Sequence, residues 1–243
     1  MKKMKWITGV LTVLMVLLAA LGAVGVAVGS IAGDAALYGE QSRQAVMQAN
    51  GFAAEDEVTA YIGMDAAQQQ EMAGALAQYM AGDTQALPEG LNENEQAHLR
   101  DVRSILSALG NMSRAYLTIA VALAVVTAWT AARLQKYDMS RIVGSLVAVS
   151  IIMLLVVGVN REMAASGFET MFVQMHEVLF DNDLWRMNPE TDVLIRMMPT
   201  LLFEQAMLNV AAQALRVLAI TWAALLAVHE LLLHMIRRHT AKH

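Results

Sequence analysis

Cysteine is absent from this chain of 243 residues. Disulfides, thiolate metal sites and a cysteine nucleophile are therefore excluded. Proline is scarce, with three residues, and glycines form few clusters, which leaves little room for disordered linkers. The net charge is -5, so there is no basic patch of the kind that nucleic acid requires. There is no Gly-x-Ser-x-Gly elbow and no phosphate-binding loop. What the chain has is apolar residues: 57% of it is hydrophobic and the mean hydropathy is +0.45. These residues come in blocks, as membrane spans do.

Four such blocks are evident. The first, Trp6 to Ala32, carries no charge and follows Lys2, Lys3 and Lys5. It is well beyond the roughly 7–15 apolar residues of a signal peptide, so it reads as a retained anchor. Gly25 and Gly29 form a small-xxx-small pair that either lets another helix approach closely or is simple filler. The second block is Ala115 to Ala132 and the third Ile142 to Asn160, both without charge. A fourth, about Met207 to Ile236, contains Arg216 and Glu230 and gives a weaker signal.

Lysine and arginine set the orientation. The short segments hold Lys2, Lys3 and Lys5, then Arg133, Lys136 and Arg141, then Arg237, Arg238 and Lys242. The long segments are acid-rich, with twelve acids against three bases from Asp34 to Arg103. The expectation is an all-α membrane protein: four transmembrane helices, both termini cytoplasmic, and a helical extracytoplasmic cap. Its parts are an N-terminal span (1–32), a first cap segment (33–114), spans two and three with a short cytoplasmic loop (115–160), a second cap segment (161–206), and span four with a cytoplasmic tail (207–243).

Each cap segment carries one histidine, His98 and His176, and no other histidine falls outside. Imidazole is the side chain best suited to moving protons near neutral pH. In the first segment, residues 66–80 favour helix; Pro88, Gly90 and Asn92 mark a break, and Asn92 with Glu95 forms a capping box. The helix that follows carries His98, Asp101, Val102 and Leu106, and Gly110 is a point where it could bend. Asp101 shares a face with His98 and is placed to orient the imidazole and raise its pKa, or it is an ordinary surface partner. In the second segment, Phe168, Phe172, His176 and Phe180 recur every four residues, one stripe of a helix. That stripe reads either as core around a buried histidine or as the lining of an acyl-chain groove. Trp185 fits the groove or an interfacial anchor. Asn188 and Pro189 predict a short helix start, and Pro199 the start of the helix that becomes span four. Arg216, near the outer boundary of that span, either snorkels or binds a substrate carbonyl or phosphate.

Two metal-site look-alikes fail. His176-Glu177 begins like a zinc-protease motif, but Phe180 takes the second ligand position. His229 and His234 are five apart and point about 140° away from each other on a helix. Without a serine or cysteine nucleophile, the residues favour chemistry in which the substrate brings its own nucleophile and two histidines handle protons.

The run Glu95-Gln-Ala-His98-Leu-Arg-Asp101-Val102-Arg103 resembles a Glu-x-x-His-Met-x-Asp-Val-Lys element. The run from Phe172 through His176, Phe180, Asn182, Asp183 and Trp185 to Asp192, Ile195 and Pro199 resembles a second element. Together they resemble the four-span lipoprotein intramolecular transacylase family. The resemblance implies an acyltransferase that moves the sn-2 acyl chain of a diacylglyceryl-cysteine lipoprotein to the cysteine α-amine. It implies catalytic roles for His98 and His176. Asp101, Arg103, Phe172, Phe180, Trp185, Asp192 and Arg216 would support them or bind substrate. The implied partners are the lipoprotein substrate and membrane lipid, with no metal or cofactor required. Two positions depart from the pattern: Leu202 stands where a second aromatic beside Phe203 is expected, and Leu99 where the element has Met. Two other readings remain: a non-enzymatic membrane module whose cap binds or senses an envelope partner, and a site joining both histidines and Asp101 through a metal.

Overall fold

The structure, a computed structural model, describes residues 2–134 and 167–240. All regular structure among the described residues is helical. Helix α1 is Lys2–Ala32, followed by a π-helical stretch, Leu37–Gln41. Then come α2 (Ser42–Asn50), α3 (Glu55–Ile62), α4 (Ala66–Ala81) and α5 (Glu93–Leu134). Helix α6 covers 167–179, α7 is Val193–Met197 and α8 is Thr200–Thr240. Among the described residues, three helices are long and apolar enough to cross a membrane: Gly9–Ala32, Glu93–Thr130 and Thr200–Ala224. The expected span at 142–160 lies outside the described residues, as do Lys136 and Arg141.

The described residues divide into two units, one of 2–27, 110–134 and 211–240, the other of 28–109 and 167–210. In the first, Met15, Val16, Ala19, Ala20 and Ala23 of α1 pack with Ala120 and Ala124 of α5 and Leu218 and Trp222 of α8. The faces turned outward are as apolar as those turned inward: Val10, Val13, Leu17, Val121, Val125, Trp129 and Ile220 are all exposed. A helix that is hydrophobic all round is a membrane span rather than the surface of a soluble domain. Close approach of α1 and α5 occurs at Gly22, where a Cβ would stand 2.6 Å from Leu117 Cγ. Nothing lies within 4 Å of where a Cβ of Gly29 would stand.

The second unit is built from short capped helices. Asp65 accepts from the Gln68 N–H while the Gln68 side chain accepts from the Asp65 N–H, so α4 starts with a reciprocal cap. It stops at Gly82, whose φ of +88° belongs to the left-handed region that glycine enters without penalty. Helix α3 opens with Glu55, Asp56 and Glu57, which suit the positive end of the helix dipole. The core gathers Val46 of α2, Val58 and Ile62 of α3, Leu76 of α4, Leu99 of α5, Leu194 and Met197 of α7, and Leu202 of α8. Both long polar segments of the sequence therefore contribute to one core, as expected. Burying these side chains supplies on the order of 1.5–3 kcal/mol each before the cost of ordering the chain.

A polar seam runs through that core. The Gln69 amide donates to Ser42 Oγ at 2.9 Å, and the Ser42 hydroxyl donates to the Met197 carbonyl. Arg43 donates to Gln69 Oε1 at 3.0 Å and pairs with Glu55. The buried groups of this seam thereby have partners, and α7 is pinned to α2 from the far end of the chain.

Candidate active site

Helix α5 starts where the sequence places its cap. Gly90, at φ +83°, turns the chain, and Asn92 Oδ1 then accepts from the Glu95 N–H at 3.0 Å. Glu95 Oε2 accepts from the Asn92 N–H at 2.9 Å in return. One turn later His98 points inward beside Leu99. The helix continues unbroken through Gly110 to Leu134. Only its apolar part from Ala115 is needed to cross the roughly 30 Å hydrocarbon layer. The turns before it carry Glu93, Glu95, Arg100, Asp101, Arg103 and Arg114, so His98 lies outside the span.

On α6 the four-residue stripe is realised. Phe168 and His176 are buried, Phe172 is half-buried, and Phe180 follows immediately after the helix, its N–H donating to the His176 carbonyl at 2.9 Å. The two histidine rings lie 6.1 Å apart between centroids and within 28° of parallel. They are 9% and 8% exposed, so both imidazoles sit in a largely water-free setting. Aromatic rings surround them. Phe180 is 4.9 Å from His98 and 5.5 Å from His176, Phe172 is 4.2 Å from His176, and Trp185 is 5.0 Å from His176. Phe203 extends the aromatic surface, 5.0 Å from Phe172.

The two imidazoles differ electronically. His176 Nδ1 stands 2.7 Å from the Phe172 carbonyl oxygen. A carbonyl only accepts, so Nδ1 carries the hydrogen and Nε2 of the neutral ring keeps its lone pair. His98 Nδ1 is buried with no hydrogen-bond partner. Burial pushes the His98 pKa down to about 4, helped by neighbouring His176 and opposed by Asp101. His98 is therefore a neutral imidazole at pH 7.

Asp101 pulls the His98 pKa upward, as their shared face suggests. Its Oδ2 accepts from the Asn182 side chain at 2.9 Å, and its upward pull on the His98 pKa is outweighed by burial. Arg103 donates to the Thr84 carbonyl at 2.7 Å and stacks over Tyr79 at 4.4 Å, which fixes it to the chain that follows α4. Asp192 accepts from the Asn188 N–H at 2.7 Å, from Thr191 at 2.7 Å and from Asn92 at 2.8 Å. Burial works to raise its pKa, but these hydrogen bonds and Arg196 outweigh it and hold the carboxyl below its ordinary value. Arg216 is exposed on α8 and belongs to the other unit. Asn188 and Pro189 start a turn rather than a helix. The Asn188 carbonyl accepts from Thr191 and Asp192, and helix begins only at Val193. Among the described residues no three histidine or acidic side chains gather as a metal site.

Sequence reading missed several contacts. Glu95, 1% exposed, uses its second oxygen to accept from the Leu194 N–H at 2.7 Å. Asn92 donates to Asp192. The starts of α5 and α7 thus cap one another across the chain, and this bonds the turn before His98 to the second polar segment. Asn182 and Phe203 join the site through partners far away in sequence, which no local spacing reveals.

Comparison with known proteins bears on this arrangement. Residues 43–203 match the family described as lipoprotein intramolecular transacylase Lit. No curated protein matches in sequence. The fold is similar to the in meso structure of the membrane integral lipoprotein intramolecular transacylase Lit from Bacillus cereus. That likeness has 18% identity and a TM-score of 0.67, and covers 96% of this chain and 99% of that one. Structures of the same protein with one histidine changed to arginine or to alanine have TM-scores of 0.64 and 0.63, each at 18% identity. The first covers 97% of this chain and 96% of that chain, the second 96% and 97%. At such identity the solved structures speak for the fold, while the family match spans well over half of the chain. This membrane protein belongs to the lipoprotein intramolecular transacylase (Lit) family of acyltransferases.

Proposed function

We propose that the chain transfers an acyl group within a lipoprotein substrate, from the sn-2 glyceryl oxygen of an N-terminal diacylglyceryl-cysteine to the free α-amine of that cysteine. The product is an N-acylated, lyso-form lipoprotein. One observation carries the reading: two buried imidazoles face each other 6.1 Å apart inside an aromatic enclosure. An α-amine has a pKa near ~7.7–8.0, so a modest base releases its nucleophilic form. Amine and ester belong to one molecule, and holding them together supplies much of the rate.

The two histidines take different roles. His176, with Nδ1 committed to the Phe172 carbonyl, offers the Nε2 lone pair as general base. It takes the proton lost by the amine as nitrogen attacks the ester carbon. It returns that proton to the glyceryl oxygen when the C–O bond breaks, so the reaction is proton-neutral overall. His98 stays neutral and donates Nε2–H to the oxyanion of the tetrahedral intermediate, because its other nitrogen is sealed in the interior. Phe168, Phe172, Phe203 and Trp185 line the groove for the acyl chain. Both histidines lie in extracytoplasmic segments, and the basic flanks of the apolar blocks leave both termini in the cytoplasm. Phe180 separates the two rings from water, and Asp101, Arg103 and Asp192 hold the surrounding segments.

The test is mass spectrometry of a reporter lipoprotein made with the wild type, His98→Gln or His176→Gln. Both variants are expected to be folded and to leave the reporter in its diacyl form. Full conversion to the lyso-form by both variants overturns the assignment.

A further inference from the structure

Arg186 stands outside the positions that carry the family resemblance, yet it touches the site's outer wall. Its guanidinium carbon lies 4.5 Å from the centroid of the Trp185 ring, whose own centroid is 5.0 Å from that of His176. Arg186 Nη2 is 3.2 Å from Glu177 Oε1, and Glu177 follows His176 directly on α6. Arg186 Nε is 2.9 Å from Asp183 Oδ1, and the Arg186 N–H closes the same turn on the Asp183 carbonyl at 3.0 Å. A half-exposed ion pair alone contributes little. Here one planar cation meets a helix carboxylate, a loop carboxylate and an aromatic face together, which the fork of a guanidinium permits and a lysine ammonium does not.

We propose that Arg186 is a positioning residue for acyl transfer: it clamps Trp185 against His176, so the imidazole keeps the orientation set by its bond to Phe172. This inference rests on the acyl-transfer reading above. Arg186 acts through Trp185 and His176 rather than on the lipid, so the clamp affects the chemical step rather than binding. Misplacing a general base by a fraction of an ångström lowers the rate without changing what holds the lipid.

The experiment measures steady-state turnover of a synthetic diacylated lipopeptide by the full-length protein in detergent micelles. Arg186→Ala, Arg186→Lys, Trp185→Ala, the double variant Arg186→Ala/Trp185→Ala, and His176→Gln are compared with wild type. Arg186→Ala is expected to lower kcat about tenfold with KM within about twofold. Arg186→Lys recovers only part of the loss. Arg186→Ala adds nothing further once Trp185 is alanine. The clamp is overturned if Arg186→Lys has wild-type kcat, if the Arg186→Ala loss falls in KM alone, or if the two losses multiply. An active His176→Gln sinks the acyl-transfer reading itself, whereas an inactive His176→Gln beside unaffected Arg186 variants sinks only the clamp.

Discussion

His98 offers the most direct test of the electrostatics, because its burial has a thermodynamic signature. In the folded protein its ring takes up a proton only near pH 4, against 6.5 in the unfolded chain. Between these values the unfolded chain binds more protons, so stability rises with pH across the window. The contribution is fully present above about pH 6.5 and disappears as pH falls toward 4. One pH unit corresponds to about 1.36 kcal/mol, so the whole effect is about 3 kcal/mol, and roughly 2 kcal/mol of it is gone at pH 5. Replacing His98 by Gln removes the proton-binding group while keeping a polar side chain. Equilibrium unfolding in detergent at pH 7 and pH 5 should therefore show the wild type losing about 2 kcal/mol more than His98→Gln. Nitrogen-15 spectra of labelled histidine should place the His98 titration midpoint near 4. Parallel pH slopes for the two proteins, or a midpoint near 6.5, refute the claim that a neutral imidazole is enforced there.

Three further outcomes follow from the packing. Glu95→Ala leaves the Asn92 and Leu194 N–H groups without their acceptor, at about 1–3 kcal/mol for each that stays buried. Asn92 is exposed and Leu194 buried, so chemical denaturation should show a loss of about 1–3 kcal/mol, and a change below about 0.5 kcal/mol would contradict the reciprocal cap. Gly22→Ala brings a methyl against Leu117 and should destabilise by about 1–3 kcal/mol, with Leu117→Ala in the same chain relieving much of the strain. Additive losses in the double variant would show that the two helices do not meet there. Asn182→Leu removes the bond to Asp101, worth about 1 kcal/mol, and should lower turnover while leaving lipopeptide binding intact. Unchanged turnover would remove the loop from the account.

What sequence made legible was local. The Asn92–Glu95 cap, the start of α8 after Pro199 and the α6 stripe are set by neighbours three or four residues apart, and all three stand in the fold. The Asn188–Pro189 reading failed for the same local reason run in reverse. Asp192 captures the Asn188 N–H and closes a turn, which defers the helix to Val193. Asp101 shares a face with His98 and pulls its pKa upward, but nothing local foretells that Asn182, 81 residues away, bonds one of its carboxylate oxygens. Of the Gly25–Gly29 pair, Gly29 meets no neighbour, whereas Gly22 on the same stripe meets Leu117 of α5, a contact that packing and not local pattern decides. Burial of His98 was equally invisible, because no local pattern reveals how much of the later chain will cover it.

The mutual capping of α5 and α7 also imposes an order of events on a chain made from its N-terminus. Leu194 emerges 99 residues after Glu95, so one oxygen of that carboxylate lacks its native partner while those residues are made. The helix bearing His98 acquires its last brace only when the segment bearing His176 is already in place. A chain that stops short of Leu194 therefore lacks the bond that ties the start of the His98 helix to the second polar segment.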